Sequence, residues 1–281
     1  MSNFWARTIT GLSMVFLLLA AMAFSYWLLG ILFCVVALVG LWEFYTLFTS
    51  GTIHPQRLYG TAAGAIIYLA IVVVSRVDIS GIPFNPAFIP VLVAIPVLFL
   101  PFVLEIFRKQ SHPLFNIAIT VTGILYIPVP LALLNLMNGP DVVRFQQLPI
   151  LLTGFFILTW FYDTGAYLYG KQFGKHKLFE RISPKKTWEG TIAGIVVALL
   201  TAVGLHCIAP AIPLIDWLII AILILVFGTF GDLAESLFKR SLDIKDSGTI
   251  LPGHGGILDR FDTIFISAPF VFLYLVLRNL I

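Results

Sequence analysis

Charge is scarce in this chain: Asp, Glu, Lys and Arg make up 11% of its 281 residues, against about a quarter in an ordinary soluble domain. That is too little polar surface to cover a water-soluble globule, so a soluble enzyme or binding module is excluded. No Lys/Arg tract resembles a nucleic-acid arm, and the net charge is only +3, which removes nucleic acid as a partner. Cysteine is equally sparse. Cys34 and Cys207 sit inside apolar runs without CxxC spacing, which excludes a disulfide framework or a thiolate metal site and reads as two buried thiols. The apolar runs lack alternating polar positions, which excludes a membrane β-barrel. The apolar run Thr8 to Ala23 continues at once into the next run, Tyr26 to Phe48, with no strong small-residue cleavage site between them, so the first is read as a retained helix rather than a signal peptide. Internal repeats and low-complexity tracts are absent.

What is abundant is apolar mass. Hydrophobic residues are 59% of the chain, the mean hydropathy is +1.00, and several runs exceed the ~18 residues that mark a spanning helix. The expected fold is all-α and polytopic, one integral membrane domain with nine spans at about 8–24, 26–48, 59–75, 86–107, 113–137, 149–170, 188–209, 213–234 and 263–280. Within it, N-terminal spans (1–148) precede a C-terminal catalytic half (149–281). With nine spans, all 17 Lys and Arg except Arg76, Arg144 and Arg278 fall on the N-terminal side. Cytoplasmic loops carry the excess of cations, which places the N-terminus and the two long polar loops, 171–187 and 239–262, in the cytoplasm. Pro90, Pro96, Pro101, Pro128 and Pro130 in spans four and five remove backbone donors and should kink or interrupt those helices.

Function is to be sought in those two loops. Six of the 14 acidic residues fall in the 31 positions from Asp232 to Asp262, interleaved with cations. If span eight runs on as a helix, Asp232, Glu235 and Lys239 share a face at spacings of three and four. Asp259 and Asp262 open span nine, where carboxylates oppose the positive end of the helix dipole. Such oxygens suit Mg²⁺, a hard ion that shares its shell with substrate phosphates, and flanking cations would hold phosphate oxygens. These parts match nucleotidyl transfer. Lys239, Arg240, Lys245 and Arg260 are expected phosphate contacts by charge and placement. The turn His254-Gly255-Gly256 lets backbone N–H groups approach an anion. Helix-end acids also serve as simple caps and loop cations as topology signals, an alternative that covers most of the 171–187 charge but not the interleaving at 232–262.

A second constellation lies upstream. Asp163 within span six is expensive in a bilayer, by ~2.5–3.5 kcal/mol if central, and so marks a functional candidate. Ser183 reads as an N-cap with Pro184 the first helical residue, placing Lys185 and Lys186 at a helix N-terminus that attracts anions. Gly190 and Gly194 form a GxxxG pair, read as helix packing.

The run Ser236-x-Phe238-Lys239-Arg240-x₄-Lys245-Asp246-x-Gly248-x-x-Leu251-Pro252-x-His254-Gly255-Gly256-Ile257-x-Asp259-Arg260-Phe261-Asp262 resembles the motif of the phosphatidate cytidylyltransferases, or CDP-diacylglycerol synthases. The likeness extends upstream through Asp163, Ser183-Pro184-x-Lys186-Thr187 and Glu189-Gly190, so it covers roughly the C-terminal half. It implies a Mg²⁺-dependent attack by the phosphate of phosphatidic acid on the α-phosphorus of CTP, releasing pyrophosphate, at the cytoplasmic face of the inner membrane. It also implies Asp232 and Asp259 as the foremost metal ligands, with Glu235 and Asp262 beside them, a two-cation centre that includes K⁺, and a homodimer. By the same likeness Asp246 joins the catalytic residues, and Asp163, Ser183, Lys186, Thr187, Glu189, Ser236, His254, Gly255 and Gly256 line the substrates. Two rivals stay open. A CTP-dependent polyprenol or phytol kinase would release CDP and phosphorylate an alcohol. A transporter coupled through Asp163 would carry polar residues at the midplanes of several spans.

Overall fold

The computed structural model describes residues 3–49, 52–77, 85–139, 144–145, 148–244, 246–248 and 255–281. Apolar composition over stretches of membrane length forces backbone polar groups to pair within each segment, and the helix is the only local solution. The described residues accordingly form ten α-helices: α1 Asn3–Phe24, α2 Tyr26–Phe48, α3 Arg57–Val74, α4 Ile89–Arg108, α5 Pro113–Tyr126, α6 Pro128–Leu136, α7 Ile150–Phe173, α8 Trp188–Ile208, α9 Leu214–Ser241 and α10 Leu258–Leu277. A short 3-10 helix, Pro86–Phe88, precedes α4, and two short antiparallel hairpins complete the described structure, β1 Arg144–Phe145 with β2 Leu148–Pro149 and β3 Lys177–Phe179 with β4 Ser183–Thr187. The protein is an all-α polytopic membrane protein. Seven of the described segments are long and apolar enough to cross a bilayer, with α5 and α6 counted as one; α1 supplies a shorter apolar stretch, Ile9–Phe24. The helix α7, which carries Asp163 and Lys171, is not among the seven.

The prolines act differently in the two places expected to bend. Pro96 and Pro101 lie inside an unbroken α4, whereas the chain breaks between α5 and α6 at Ile127–Pro128.

The chain divides into two compact units, residues 1–136 with 246–260, and residues 137–245 with 261–281. In the first, Gly60 and Gly123 leave space for the ring of Tyr45, which is fully buried and donates its hydroxyl to the Thr120 carbonyl at 2.7 Å. A polar clasp ties three helix ends. The buried Glu105 carboxylate accepts from Gln56 Nε2 (2.8 Å), Asn116 Nδ2 (2.7 Å) and the Arg108 guanidinium (2.8 Å), so the buried charge is both paired and hydrogen-bonded, as it must be.

In the second unit α7 and α8 pack face to face along small residues. A Cβ on Gly194 would press on the Tyr162 ring and one on Gly190 on the Ala166 carbonyl, which agrees with helix packing as the role of the GxxxG pair. Trp217 fills the space that Gly154 leaves open, and the Phe227 and Phe270 rings stack 3.5 Å apart. Asp216, fully buried near the start of α9, accepts hydrogen bonds from Tyr274 and from Arg278 Nε at 2.8 Å, fixing the end of α10.

Two expectations are corrected. Ser183 is not an N-cap and Pro184 does not open a helix: both belong to β4, whose pairing with β3 supplies partners that helix turns would otherwise provide. The cap is Thr187, whose Oγ1 accepts from Gly190 N at 3.2 Å. The thiols are unpaired, as expected, but not sequestered: Cys34 is half-buried and Cys207 exposed on α8, because an apolar run facing lipid need not be covered by protein.

Candidate active site

In the second unit, α9 continues as a helix through Ser241, so Asp232, Glu235, Ser236 and Lys239 lie on neighbouring turns. The Lys239 ammonium donates to Glu235 Oε2 at 2.9 Å, an i,i+4 pair with Glu235 buried. Ser236 Oγ donates to Asp232 Oδ1 at 3.3 Å. The β3–β4 hairpin carries Lys186 to the other carboxylate oxygen of Asp232, where the two form an ion pair. Asp163 of α7 and Asp262 of α10 join them, each within electrostatic reach of the other, of Asp232 and of Lys186. Asp262 Oδ1 accepts from Thr263 N at 2.7 Å. The approach of α9 to α10 needs Gly231, since a Cβ there would stand 2.5 Å from the Asp262 carbonyl oxygen. Three carboxylates thus converge on one lysine, with Asp163 exposed and Asp232 and Asp262 half-buried.

At the base of the hairpin Glu189 is a clamp. Its carboxylate receives the backbone N–H groups of Lys175 (3.1 Å) and His176 (3.2 Å) and contacts His176 Nδ1 at 2.5 Å. That placement fixes where β3 begins and β4 ends, and hence where Lys186 points, so Glu189 and Thr187 shape the site through the backbone.

The first unit holds the other end of the motif. Asp259, in the first turn of α10, accepts at Oδ2 from Ser247 N (3.0 Å) and Gly256 N (2.9 Å), with the Ser247 hydroxyl 3.0 Å away and within reach of a second acid. Gly255 takes the left-handed conformation, φ 83°, which a residue with a Cβ adopts only under strain. The buried Glu43 of α2, which the sequence did not single out, bonds to Ser247 Oγ and to Ile257 N at 2.8 Å. Of the remaining sequence-predicted residues, Asp246, Arg240 and Arg260 are exposed, with Arg240 donating to the Ile244 carbonyl at 3.2 Å. Lys245 and His254 lie outside the described residues.

Among the described residues no three His, Cys, Asp or Glu side chains form a ready-made metal cage. Mg²⁺ does not require one, being held typically by one or two carboxylates with water and substrate phosphates. The donor chemistry fits. Asp163, Asp232 and Asp262 offer hard oxygen atoms that repel one another and are offset by Lys186 in the pairing just described.

The family profile described as "Cytidylyltransferase family" matches residues 5–278. The chain belongs to the cytidylyltransferase family. Among individual relatives, a phosphatidate cytidylyltransferase of Bacillus subtilis is 51% identical over 122 residues, which are 43% of this chain and 45% of that one. Phosphatidate cytidylyltransferases of Staphylococcus saprophyticus (47% over 122 residues) and Staphylococcus aureus strain COL (45% over 123 residues) align over 43% of this chain and 47% of their own. The chain spans just under half the length of the curated relatives it matches.

Proposed function

We propose that this member of the cytidylyltransferase family transfers CMP from CTP to phosphatidic acid, giving CDP-diacylglycerol and pyrophosphate for phospholipid synthesis. The observation that carries the reading is the Asp163, Asp232, Asp262 and Lys186 cluster in a membrane protein whose relatives bear that activity in their names. A magnesium ion bound by the Asp232 and Asp262 carboxylates, with Glu235 as a further oxygen donor, would neutralise the charge of the triphosphate; Asp259, which belongs to the other unit, is proposed as a metal ligand on the family likeness alone. A second cation such as K⁺ belongs to the same proposal.

The chemistry asks little of a base, since the attacking phosphate monoester is already an anion at neutral pH. Its oxygen forms a bond to the α-phosphorus as the bond to pyrophosphate breaks, and the electron pair leaves with the pyrophosphate. Positioning and charge neutralisation then supply the rate. Lys186 stands where it can bind a phosphate oxygen while held by Asp232; Lys239, Arg240, Lys245 and Arg260 extend the cationic surroundings along the motif. Thr187 and Glu189 fix the strand that presents Lys186, with Ser183, Ser236, Asp246 and the His254-Gly255-Gly256 turn completing the substrate contacts. Nine spans, with the N-terminus and the site on the cytoplasmic side of the inner membrane, and a homodimer are part of this proposal. Assay of the purified protein for lipid-linked CMP and pyrophosphate tests it: CDP release with phosphorylation of a lipid alcohol would assign a kinase instead.

A further inference from the structure

The motif's second half does not stand on its own residues. Glu43 lies in the last third of α2 and is 4% exposed, yet neither oxygen of its carboxylate is spent within α2: Oε1 binds the Ser247 hydroxyl and Oε2 takes the Ile257 N–H at 2.8 Å. Ser247 in turn gives its N–H to Asp259 Oδ2 at 3.0 Å, and its hydroxyl, with one proton to share, stands between Glu43 Oε1 and Asp259 Oδ2. One buried acid is therefore two hydrogen bonds removed from the aspartate that the family likeness puts at the reaction.

The surrounding glycines fit this role. A Cβ on Gly256 would overlap the Glu43 carboxylate and the Ser247 hydroxyl, and one on Gly248 would stand 3.0 Å from Glu43 Cδ and Oε1. One turn earlier on α2, Gly40 leaves room for Ile257 and Leu258, to which a Cβ would come within 3.5 and 3.9 Å. So Gly40 and Glu43 form a seat on α2 for the segment that leads into α10. An apolar side chain at 43 could fill the same volume with no buried charge to desolvate; a carboxylate there is explained by what it orients.

We propose that Glu43 is a positioning residue for the reaction, holding Ser247 and Ile257 so that the Asp259 carboxylate keeps one orientation. The proposal rests on the cytidylyltransfer reading, and it ties α2 of the first unit to the motif segment that carries Asp259. The test uses the full chain in phospholipid nanodiscs with Glu43→Gln, Glu43→Ala, Ser247→Ala and the Glu43→Ala/Ser247→Ala double variant. For each, kcat, KM for CTP, the Mg²⁺ concentration at half-maximal rate and the thermal midpoint are measured.

Glu43→Ala should lower kcat by roughly 10–100-fold, the usual effect of losing an outer partner of a site carboxylate, and raise the Mg²⁺ requirement with KM for CTP changed less than threefold. Glu43→Gln keeps a carbonyl oxygen able to accept one of the two bonds and should recover most of the loss. The double variant should be no worse than the more damaged single variant, because both act through one chain of bonds. Additive losses, a Gln variant no better than Ala, or kcat within twofold of the parent in folded Glu43→Ala would each overturn the proposal. If Glu43→Ala does not fold, Glu43→Gln and Ser247→Ala decide by the same criteria. Amide hydrogen exchange at 246–248 and 255–258 separates the two readings: faster exchange in Glu43→Ala, or in Ser247→Ala where Glu43→Ala does not fold, supports the seat even if the parent makes no CDP-diacylglycerol, and unchanged exchange refutes it.

Discussion

Replacing Lys186 by Gln removes the cation that the described structure pairs with Asp232 and places among Asp163 and Asp262, while keeping most of the side-chain volume. Two unit charges in contact at an effective dielectric of about 20 attract by roughly 4 kcal/mol before desolvation is counted. The side chains of Lys186 and Asp232 are 27% and 30% exposed, so the pair is neither a surface pair worth under about 1 kcal/mol nor a sealed one whose breaking costs about 3–5 kcal/mol. An unfolding loss of about 1–3 kcal/mol follows for Lys186→Gln without divalent ions. Turnover should fall further than stability, by roughly 10²–10³-fold, because in the proposed reaction the lost charge also faces the developing negative charge of the transferring phosphate. The informative comparison is thermal unfolding of parent and variant in detergent with and without saturating Mg²⁺. If the carboxylates are organised to hold the ion, Mg²⁺ substitutes for the missing ammonium and shrinks the stability gap, although turnover stays low. A gap of the same size in both buffers would refute that reasoning, since the carboxylates would then not share an ion.

Asp163→Asn removes one of the like charges that crowd each other, so the metal-free protein should unfold at a higher temperature while turnover drops at least tenfold; a lower midpoint would mean that Asp163 is held by partners rather than repelled. Gly256→Ala places a methyl group on the Glu43 carboxylate and should lose at least a hundredfold in activity, with faster amide exchange around Ser247, whereas near-parental turnover would show that the seat can yield. For the proposed orientation, a single cysteine at Lys175 in a chain lacking Cys34 and Cys207 should resist a membrane-impermeant maleimide in intact cells and react after permeabilisation; labelling of intact cells would place the β3–β4 hairpin outside.

The helices were legible because lipid as solvent leaves a long apolar run no other way to pair its backbone; the continuation of α9 to Ser241, in the sequence only a condition for Asp232, Glu235 and Lys239 to share a face, is supplied by the structure. The carboxylates and Lys186 were legible as chemistry, because charge is rare enough in this chain to stand out. Local rules failed where two readings compete for one residue. Ser183-Pro184 carries a capping signature, yet pairing with Lys177–Phe179 wins, and the cap moves four residues on to Thr187. Glu43 was invisible for another reason. Its partners lie 204 and 214 positions away, and in the sequence it is one acid near the end of an apolar run, where acids are unremarkable. A signal did exist: the glycines at 248 and 256 implied a close neighbour, but not which one.

Product analysis tests the central claim most directly. Purified full-length protein supplied with CTP, Mg²⁺ and phosphatidic acid should form CDP-diacylglycerol and pyrophosphate in equal amounts, and Asp232→Asn and Asp262→Asn should abolish both while leaving the protein folded. Formation of CDP instead, or undiminished product from the two Asn variants, would contradict the account.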